Sequence, residues 1–227
     1  MECRQLGDCC VLVAMDEVAD DAAALKVLRL VAALKTLYLP GVLDIVPAFS
    51  TLAVHFDPNG VGGADPFVRV TEWIATAAAV SVPPDVQRGR MFAIPVCYDE
   101  ACAPDLREVA QRLGMRPDTL IARHGEIDFR VGAIGFSPGF PYLLGLPSDM
   151  QVPRRETPRT RVPAGSVALG GIFSGIYPSD TPGGWNLIGR TACVLFDPRR
   201  AEPCLLRAGD HVRFVPAATL EETAVPA

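Results

Sequence analysis

The chain has 227 residues, of which 49% are hydrophobic and 21% are charged, and its formal net charge is −5. A chain of this length holds one large domain or two modest ones, and its composition argues against intrinsic disorder. The net negative charge argues against nonspecific nucleic-acid binding, because a surface that follows phosphates needs an excess of clustered cations.

The first half of the chain alternates strand and helix signals. Short apolar, β-branched runs predict strands at residues 9–15, 42–47 and 51–56. Apolar residues at helical spacing predict helices that run to about residues 37 and 80. Asp20 or Asp21 can cap the first helix, and Asp65 with Pro66 can begin the second. The order strand–helix–strand–strand–helix is compatible with a split βαβ domain of the ferredoxin-like type.

A domain boundary is predicted near residues 81–85. The adjacent prolines Pro83 and Pro84 cannot continue a helix and favour an extended linker. We therefore expect an N-terminal α/β domain at residues 1–84, a second domain at residues 88–218 and a loosely ordered tail at residues 219–227.

The second domain begins with one strand and two helices, predicted at residues 91–97, 104–113 and 117–124. After Asp128, prolines and glycines recur every few residues, and helices become improbable. Many short strands separated by prolines and glycines indicate a β-barrel or a β-sandwich. The apolar runs between the breaks lie at residues 129–134, 166–169, 172–177, 186–196, 204–206 and 211–215.

Several site classes are not supported by the sequence. No apolar run reaches the roughly twenty residues that cross a bilayer, and no secretory signal is visible, so we expect a cytoplasmic protein without membrane contact. The seven cysteines form no CxxC pair and their number is odd, which argues against a disulfide framework. The three histidines are far apart without ligand spacing, so no metal site is predicted.

The segment 135–147, GFSPGFPYLLGLP, contains three glycines and three prolines. We expect no regular secondary structure at that density. Its aromatic residues Phe136, Phe140 and Tyr142 indicate a packed loop. Two interpretations stay open, a buried connection in a barrel and a rigid wall of a ligand pocket or partner interface, because aromatic residues are enriched in both settings.

A second segment, residues 152–166, concentrates positive charge. Four arginines fall within eight residues, at Arg154, Arg155, Arg159 and Arg161. Prolines stiffen the surrounding backbone, so the guanidinium groups lose little entropy on binding a ligand. Each guanidinium presents two parallel donors that match a carboxylate or a phosphate. The segment therefore predicts a site for a small anionic ligand, and the alternative is a solvated loop with one Glu156 ion pair.

The third segment, residues 170–190, is rich in glycine pairs. Such pairs let the backbone approach a ligand closely, and their N–H groups can form a concavity that binds anions. The sequence contains no phosphate-binding loop, no dinucleotide fingerprint, no nucleophile elbow and no clear Ser/His/Asp or Cys/His set. It therefore offers binding groups without a nucleophile that can be named.

These segments carry a resemblance to a known family. The matching stretches are GFSPGFPYLLGLP (135–147), PRRETPRTRVPAGSVALGG (153–171), GIYPSDTPGGWNLIGRT (175–191) and LFDP with LLRAGDHVRFVP (195–216). They resemble the family that contains the B-type subunit of 5-oxoprolinase, the sporulation-kinase inhibitor KipI and proteins labelled allophanate hydrolase subunit 1. The resemblance is specific from residue 94 onward, and before it only the order of elements agrees. Asn186 departs from the family pattern, in which glutamine is commoner, and could tune specificity.

The resemblance implies an α+β chain with a small N-terminal ferredoxin-like α/β domain and a C-terminal cyclophilin-like β-barrel. It also implies a hydrolase subunit that is inactive alone and acts in an ATP-dependent 5-oxoprolinase, which opens the lactam of 5-oxoproline to glutamate. The implied partners are a larger subunit of the 5-oxoprolinase or allophanate hydrolase subunit 2 type and often a lactam-utilisation protein.

The implied reaction needs cations that hold a substrate carboxylate and neutralise charge that develops on a phosphate. ATP is expected as a substrate of the complex, at a site shared with the partner subunit. The residues expected to bind the substrate or shape its pocket are Arg154, Arg155, Arg159, Arg161, Tyr177, Gly183 and Gly184.

Two other functions stay open. A KipI-like inhibitor would bind a sensor histidine kinase, with the aromatic segment at residues 135–147 as its interaction surface. A subunit of true allophanate or urea metabolism is disfavoured, because the amidase chemistry needs a serine–lysine arrangement that is absent here.

Overall fold

The computed structural model describes residues 1–81 and 89–223. It contains two compact units, Met1–Gly89 and Arg90–Ala227. The predicted linker at residues 81–85 and the last part of the predicted tail at residues 219–227 lie largely outside the described residues. The domain limits at residues 84 and 88 therefore stay a prediction.

The first unit is an antiparallel sheet with helices. Its elements are β1 (Glu2–Gln5), β2 (Cys10–Ala14), α1 (Asp21–Thr36), β3 (Val42–Ala48), β4 (Thr51–Phe56), α2 (Pro58–Val61) and α3 (Pro66–Ala78). The strand order is β1-β2-β4-β3, and β4 lies between β2 and β3. The connection β2–α1–β3 is therefore a split βαβ unit, as the order of elements predicted. The short edge strand β1 was not predicted.

Capping side chains begin both long helices of this unit. Asp20 Oδ1 accepts a hydrogen bond from Ala23 N at 2.8 Å, and Asp65 Oδ1 accepts one from Val68 N at 3.1 Å. These bonds satisfy backbone donors that have no partner within the helix. The helices bury apolar side chains on the sheet, among them Leu34 and Ile74. No helix in the described part of the chain is both long and apolar enough to span a bilayer.

Over residues 90–223, the second unit contains two α-helices and nine strands. Its elements are β5 (Met91–Cys97), α4 (Leu106–Arg112), α5 (Pro117–Glu126), β6 (Phe129–Ile134), β7 (Pro141–Leu144), β8 (Arg159–Val162), β9 (Ser166–Gly170), β10 (Phe173–Ile176), β11 (Thr181–Gly183), β12 (Asn186–Arg190) and β13 (His211–Ala217). Short 3-10 turns lie at Ser148–Met150 and Glu221–Thr223.

Seven of these strands close into a barrel. Their order is β6-β13-β5-β12-β9-β10-β7, and β7 returns to pair with β6. All neighbours are antiparallel except β5 and β13, which run parallel from His211 beside Met91 to Ala217 beside Cys97. The remaining strands, β8 and β11, form a separate two-stranded ribbon. The predicted α+β class, with a ferredoxin-like unit followed by a barrel, is confirmed.

The structure corrects several details of the predicted elements. Strand β7 lies inside the segment 135–147, where no regular structure was expected, because Pro141 is its first residue and a missing N–H is tolerated there. Strand β12 ends at Arg190 instead of continuing to residue 196, and the run at 204–206 contributes a single bridge, Phe196 to Cys204. Within the predicted loose tail, Thr223 is buried and its Oγ1 accepts a hydrogen bond from Ala192 N at 2.6 Å.

Candidate functional site

One cleft in the second unit brings the three glycine- and proline-rich segments together. Its volume is about 180 Å³. Five of the seven predicted site residues line it, namely Arg154, Arg155, Tyr177, Gly183 and Gly184. Aromatic side chains complete the walls. Phe136, Phe140 and Tyr142 come from the segment 135–147, for which a pocket wall was one of the two open interpretations, and Trp185 was not predicted as a site residue.

The aromatic wall of the cleft is organised around Phe140. The ring centroid of this buried residue lies 5.0 Å from Tyr142, 5.1 Å from Tyr177 and 5.4 Å from Trp185, each in an edge-to-face arrangement. Such pairs are favoured by the quadrupoles of the rings. Phe140 is therefore a packed barrel residue, as the first interpretation of the segment 135–147 expects, and the same segment forms a wall of the cleft. That this cleft binds a ligand stays a prediction.

Glycines make room for these rings. A Cβ atom at Gly170 would lie 2.6 Å from the Trp185 ring, and one at Gly183 would lie 2.8 Å from Tyr177 Cε1. Real Cβ atoms do not come so close, so only glycine allows the rings to rest on the backbone. Gly184 differs, because the nearest atom to its added Cβ would be Pro158 Cγ at 3.6 Å, an ordinary contact. The structure thus gives Gly183 a steric role beside Tyr177.

Tyr177 forms the inner surface of the cleft as a neutral phenol. It is buried, and this burial raises the pKa of its hydroxyl, although a hydrogen bond with the Trp185 backbone and the charge of Arg154 act in the opposite direction. The hydroxyl therefore stays protonated at neutral pH. Tyr177 can contact a ligand as an aromatic surface without adding negative charge.

Arg154 supplies positive charge at the rim of the cleft. Its guanidinium carbon lies 5.7 Å from the centroid of the Trp185 ring, a cation–π arrangement. None of the ion pairs found in residues 1–81 and 89–223 includes Arg154. Its hydrogen-bond donors are thus available to an anionic ligand.

Arg155 and Arg159 share a buried carboxylate that the sequence analysis did not identify. Asp105 Oδ1 accepts hydrogen bonds from Arg155 Nη1 at 3.0 Å and from Arg159 Nη2 at 2.7 Å, while Oδ2 accepts one from Leu187 N at 2.7 Å. Because two guanidinium groups pair with one carboxylate, this wall of the cleft carries a net positive charge. Arg155 lines the cleft, whereas Arg159 does not.

Little in the sequence indicates this role for Asp105. It precedes α4 at the N-cap position, where an aspartate ordinarily caps the helix, but it makes no side-chain cap bond. Its arginine partners are 50 and 54 residues away along the chain. Only the fold brings these groups together.

Arg161 lies apart from the other predicted residues. Its Nε donates to Asp180 Oδ2 at 2.8 Å, and its side chain is 77% exposed. It does not line the cleft. This ion pair joins the ends of the ribbon strands β8 and β11 in a solvated setting, where such pairs contribute little.

Asn186 is buried, and its side chain forms hydrogen bonds with backbone carbonyl groups. Its Nδ2 donates to Pro153 O at 2.9 Å and to Leu169 O at 3.2 Å. The side chain thereby fastens the beginning of the arginine segment to strand β9. The position at which the chain departs from the family pattern thus supports the wall that carries Arg154, and Asn186 itself does not line the cleft.

A histidine and a serine meet in the barrel core, away from the cleft. His124 Nε2 lies 3.0 Å from Ser174 Oγ, and both residues are fully buried. Burial lowers the pKa of His124 to about 3, so the imidazole is neutral. Neither residue lines the cleft. Among the described residues, no group of three or more His, Cys, Asp or Glu side chains could hold a metal ion.

Comparisons with known proteins agree with the architecture. The model of the family "carboxyltransferase domain, subdomain C and D" matches residues 1–206. A protein of Escherichia coli O157:H7, named as the B-type subunit of 5-oxoprolinase, is 38% identical over 214 residues, which cover 94% of this chain and 95% of that protein.

Solved structures show the same fold. The crystal structure of TTHA0988 in space group P212121 is 38% identical, with a TM-score of 0.78, over 92% of this chain and 40% of that chain. This chain therefore spans about two fifths of the TTHA0988 chain. The Kluyveromyces lactis urea carboxylase is 21% identical with a TM-score of 0.73 over 97% of this chain and 22% of that chain, which indicates a shared fold alone.

Proposed function

Because this chain belongs to the carboxyltransferase-domain family, subdomains C and D, we propose that it is a subunit of an ATP-dependent 5-oxoprolinase. In this proposal it acts with a larger partner subunit, often accompanied by a lactam-utilisation protein, and it is inactive alone. The name of the Escherichia coli relative, a subunit of 5-oxoprolinase, supports this assignment. In this chain, the observation that carries the proposal is a small aromatic cleft with an excess of positive charge.

The shape and charge of the cleft suit 5-oxoproline. That molecule is a small lactam ring with one carboxylate. The aromatic side chains around Phe140 can cover the ring and exclude water from it. Arg154, which has no carboxylate partner among the described residues, can bind the ligand carboxylate through two hydrogen bonds. Arg155, fixed by Asp105, adds positive potential beside it.

ATP does not fit this cleft. Pockets that hold drug-sized ligands enclose roughly 300–1,000 Å³, whereas the cleft encloses about 180 Å³. The chain also lacks a phosphate-binding loop in its sequence. We therefore place the nucleotide outside the cleft, on the partner subunit or where the partner meets this chain. A phosphoryl group from ATP would activate the stable lactam for hydrolysis.

The residues of this chain would then bind and orient the lactam. Arg154 fixes the carboxylate, and Arg155 with its carboxylate Asp105 provides a preorganised positive field for charge that develops during ring opening. The neutral phenol of Tyr177 provides a surface that does not repel the anion. Among the described side chains that line the cleft, none is a candidate nucleophile, so the base that activates water is expected from the partner.

The decisive experiment is co-purification with the larger partner subunit, followed by an assay of ATP-dependent glutamate formation from 5-oxoproline. We expect turnover by the reconstituted complex and none by this chain alone. Turnover by the isolated chain would contradict the need for a partner. A complex that forms but leaves 5-oxoproline intact would contradict the substrate, and inhibition of a sensor histidine kinase by the same preparation would favour the inhibitor function.

A further inference from the structure

Phe136, at the mouth of the cleft, has an unfavourable backbone conformation. Its φ is 67°, and Ser137 N donates to Gly135 O at 2.8 Å, which closes a three-residue γ-turn around it. γ-turns with positive φ are rare and strained. A bulky residue with positive φ is a genuine outlier, whereas glycine adopts this conformation without strain. The presence of phenylalanine instead of glycine at this strained position therefore needs an explanation.

Burial of the side chain does not provide that reason. Phe136 is 62% exposed. Its ring makes edge-to-face contacts with Phe140, at 5.5 Å between centroids, and with Tyr177, at 6.3 Å. Most of the ring remains in water, so its contribution to the apolar core is small. Folding alone does not explain an aromatic side chain at this position.

The turn nevertheless holds the ring in a fixed place. Gly135 N donates to Phe140 O at 3.1 Å, and Phe140 N donates to Ser137 O at 3.0 Å. Ser137 Oγ is buried without a hydrogen-bond partner in the described structure, a second unfavourable feature of the same turn. Because the turn connects β6 to β7, which close the barrel, it cannot relax independently of the fold.

We propose that Phe136 determines the ligand specificity of the cleft, by placing its ring against the ring of a small cyclic carboxylate whose charge is held by Arg154. This inference rests on the proposed function and names a recognition residue for it. The strained turn presents the ring at the mouth, and the buried rings of Phe140 and Tyr177 form the surface behind it. Strained residues that the surrounding fold holds in place concentrate at ligand sites.

The test uses two replacements with opposite expectations. Phe136→Asn removes the ring and relieves strain, because asparagine tolerates the left-handed region. We expect the Tm of this variant to be equal to or higher than that of the wild-type chain. We expect the KM of its reconstituted complex for 5-oxoproline to rise about tenfold, since a ring contact is lost. Phe136→Tyr keeps the ring and should stay within about threefold of the wild-type KM.

A matched control replaces an exposed apolar residue outside the cleft. Val194 is 52% exposed, and Val194→Asn should leave the KM unchanged. An unchanged KM for Phe136→Asn in an active complex would overturn this inference while the proposed function stands. A lower Tm for Phe136→Asn would show that the ring supports the fold, and this result would also overturn the inference.

A direct binding measurement separates the two proposals. The full chain is titrated calorimetrically with 5-oxoproline, cyclopentanecarboxylate and benzoate. If the complex does not turn over 5-oxoproline but one of these acids binds, and Phe136→Asn weakens that binding about tenfold, the specificity role stands and the proposed function falls. If none of the three acids binds to the wild-type chain, the inference about Phe136 is wrong, whereas turnover of 5-oxoproline by the reconstituted complex would still support the proposed function.

Discussion

At the scale of single residues, the arginine segment divides into three settings. Arg154 lies on Trp185 at the rim of the cleft, Arg155 and Arg159 share Asp105, and Arg161 pairs with Asp180 in solvent. Their closeness in sequence predicted an anion site but not which side chain faces the cleft. That direction depends on carboxylates from distant parts of the chain, whose positions only the fold determines.

This division leads to a paired test of the proposed substrate site. Arg154→Gln removes the charge available at the cleft, so we expect the KM for 5-oxoproline in the reconstituted complex to rise by about tenfold to a hundredfold. Arg161→Gln removes the same charge from an exposed ion pair, and the KM should stay within about twofold. Equal effects of the two substitutions on KM would show that general charge, and not the cleft, governs binding.

At the scale of elements, the packing around each glycine depends on its position in the fold and not on how many glycines its segment contains. Gly183 belongs to the ribbon strand β11 and lies against Tyr177, while a methyl group on its neighbour Gly184 would make only ordinary contacts. The repeated glycines of the segment 170–190 predicted a close approach of the backbone to a ligand. The close approach observed is to the aromatic wall of the cleft itself.

Replacement of each glycine by alanine separates these roles. Gly183→Ala forces Tyr177 or the ribbon to move, and we expect the free energy of unfolding to fall by about 2 kcal/mol. Gly184→Ala should change it by less than about 0.5 kcal/mol, because the added methyl group meets only an ordinary contact. Urea unfolding followed by tryptophan fluorescence measures both. A similar loss in the two variants would argue against steric contact with Tyr177 as the cause.

Elements with strong local signals were predictable, and those that depend on partners were not. The caps of α1 and α3 at Asp20 and Asp65 and the full extent of β6 follow from residues close in sequence. Strands β7, β8 and β11 were missed because prolines or glycines within them or, for β8, on either side of it suggest irregular structure. These strands exist because partner strands supply their hydrogen bonds, β6 and β10 for β7, and β8 and β11 for each other.

The candidate site was predictable to a similar degree. The three segments predict its main chemical features, which are an aromatic loop and arginines on a backbone stiffened by prolines. Asp105 and Trp185 were not recognised as site residues, since neither lies in a motif with a known ligand spacing. Both are fixed by contacts with residues distant in sequence, Asp105 by Leu187 N and Trp185 by the Phe140 ring.

At the scale of the whole molecule, the buried His124 links stability to pH. It stacks on Phe214 with centroids 4.5 Å apart and faces Ser174 and Tyr98 through its two ring nitrogens. Its pKa is lowered by burial to about 3, from an ordinary value of 6.5. Below pH 6.5 the His124 side chain takes up a proton in the unfolded chain but stays neutral in the folded chain, so acidification favours unfolding.

The size of this effect can be measured. Between pH 7 and pH 5 we expect His124 to reduce the free energy of unfolding by about 2 kcal/mol. His124→Gln removes the titrating group and should flatten this part of the profile. His55→Gln, which replaces an exposed histidine, should retain the wild-type slope. All variants are made in a Trp73→Phe background, so that the fluorescence of Trp185 alone reports on the unfolding of the second unit. Equal slopes of the free energy of unfolding against pH in all variants would rule out His124 as the cause.

The parallel pairing of β5 with β13 has a consequence for how the protein is made. These are the first and last strands of the barrel, and every residue from Met91 to Cys97 has its partner between His211 and Ala217. A ribosome releases β13 only after all the other strands of the barrel, so the barrel cannot close while these earlier strands are emerging. A message cut short before His211 would leave the aromatic wall exposed to aggregation and the cleft unformed, whereas the first unit contains all of its own strands and can fold during translation.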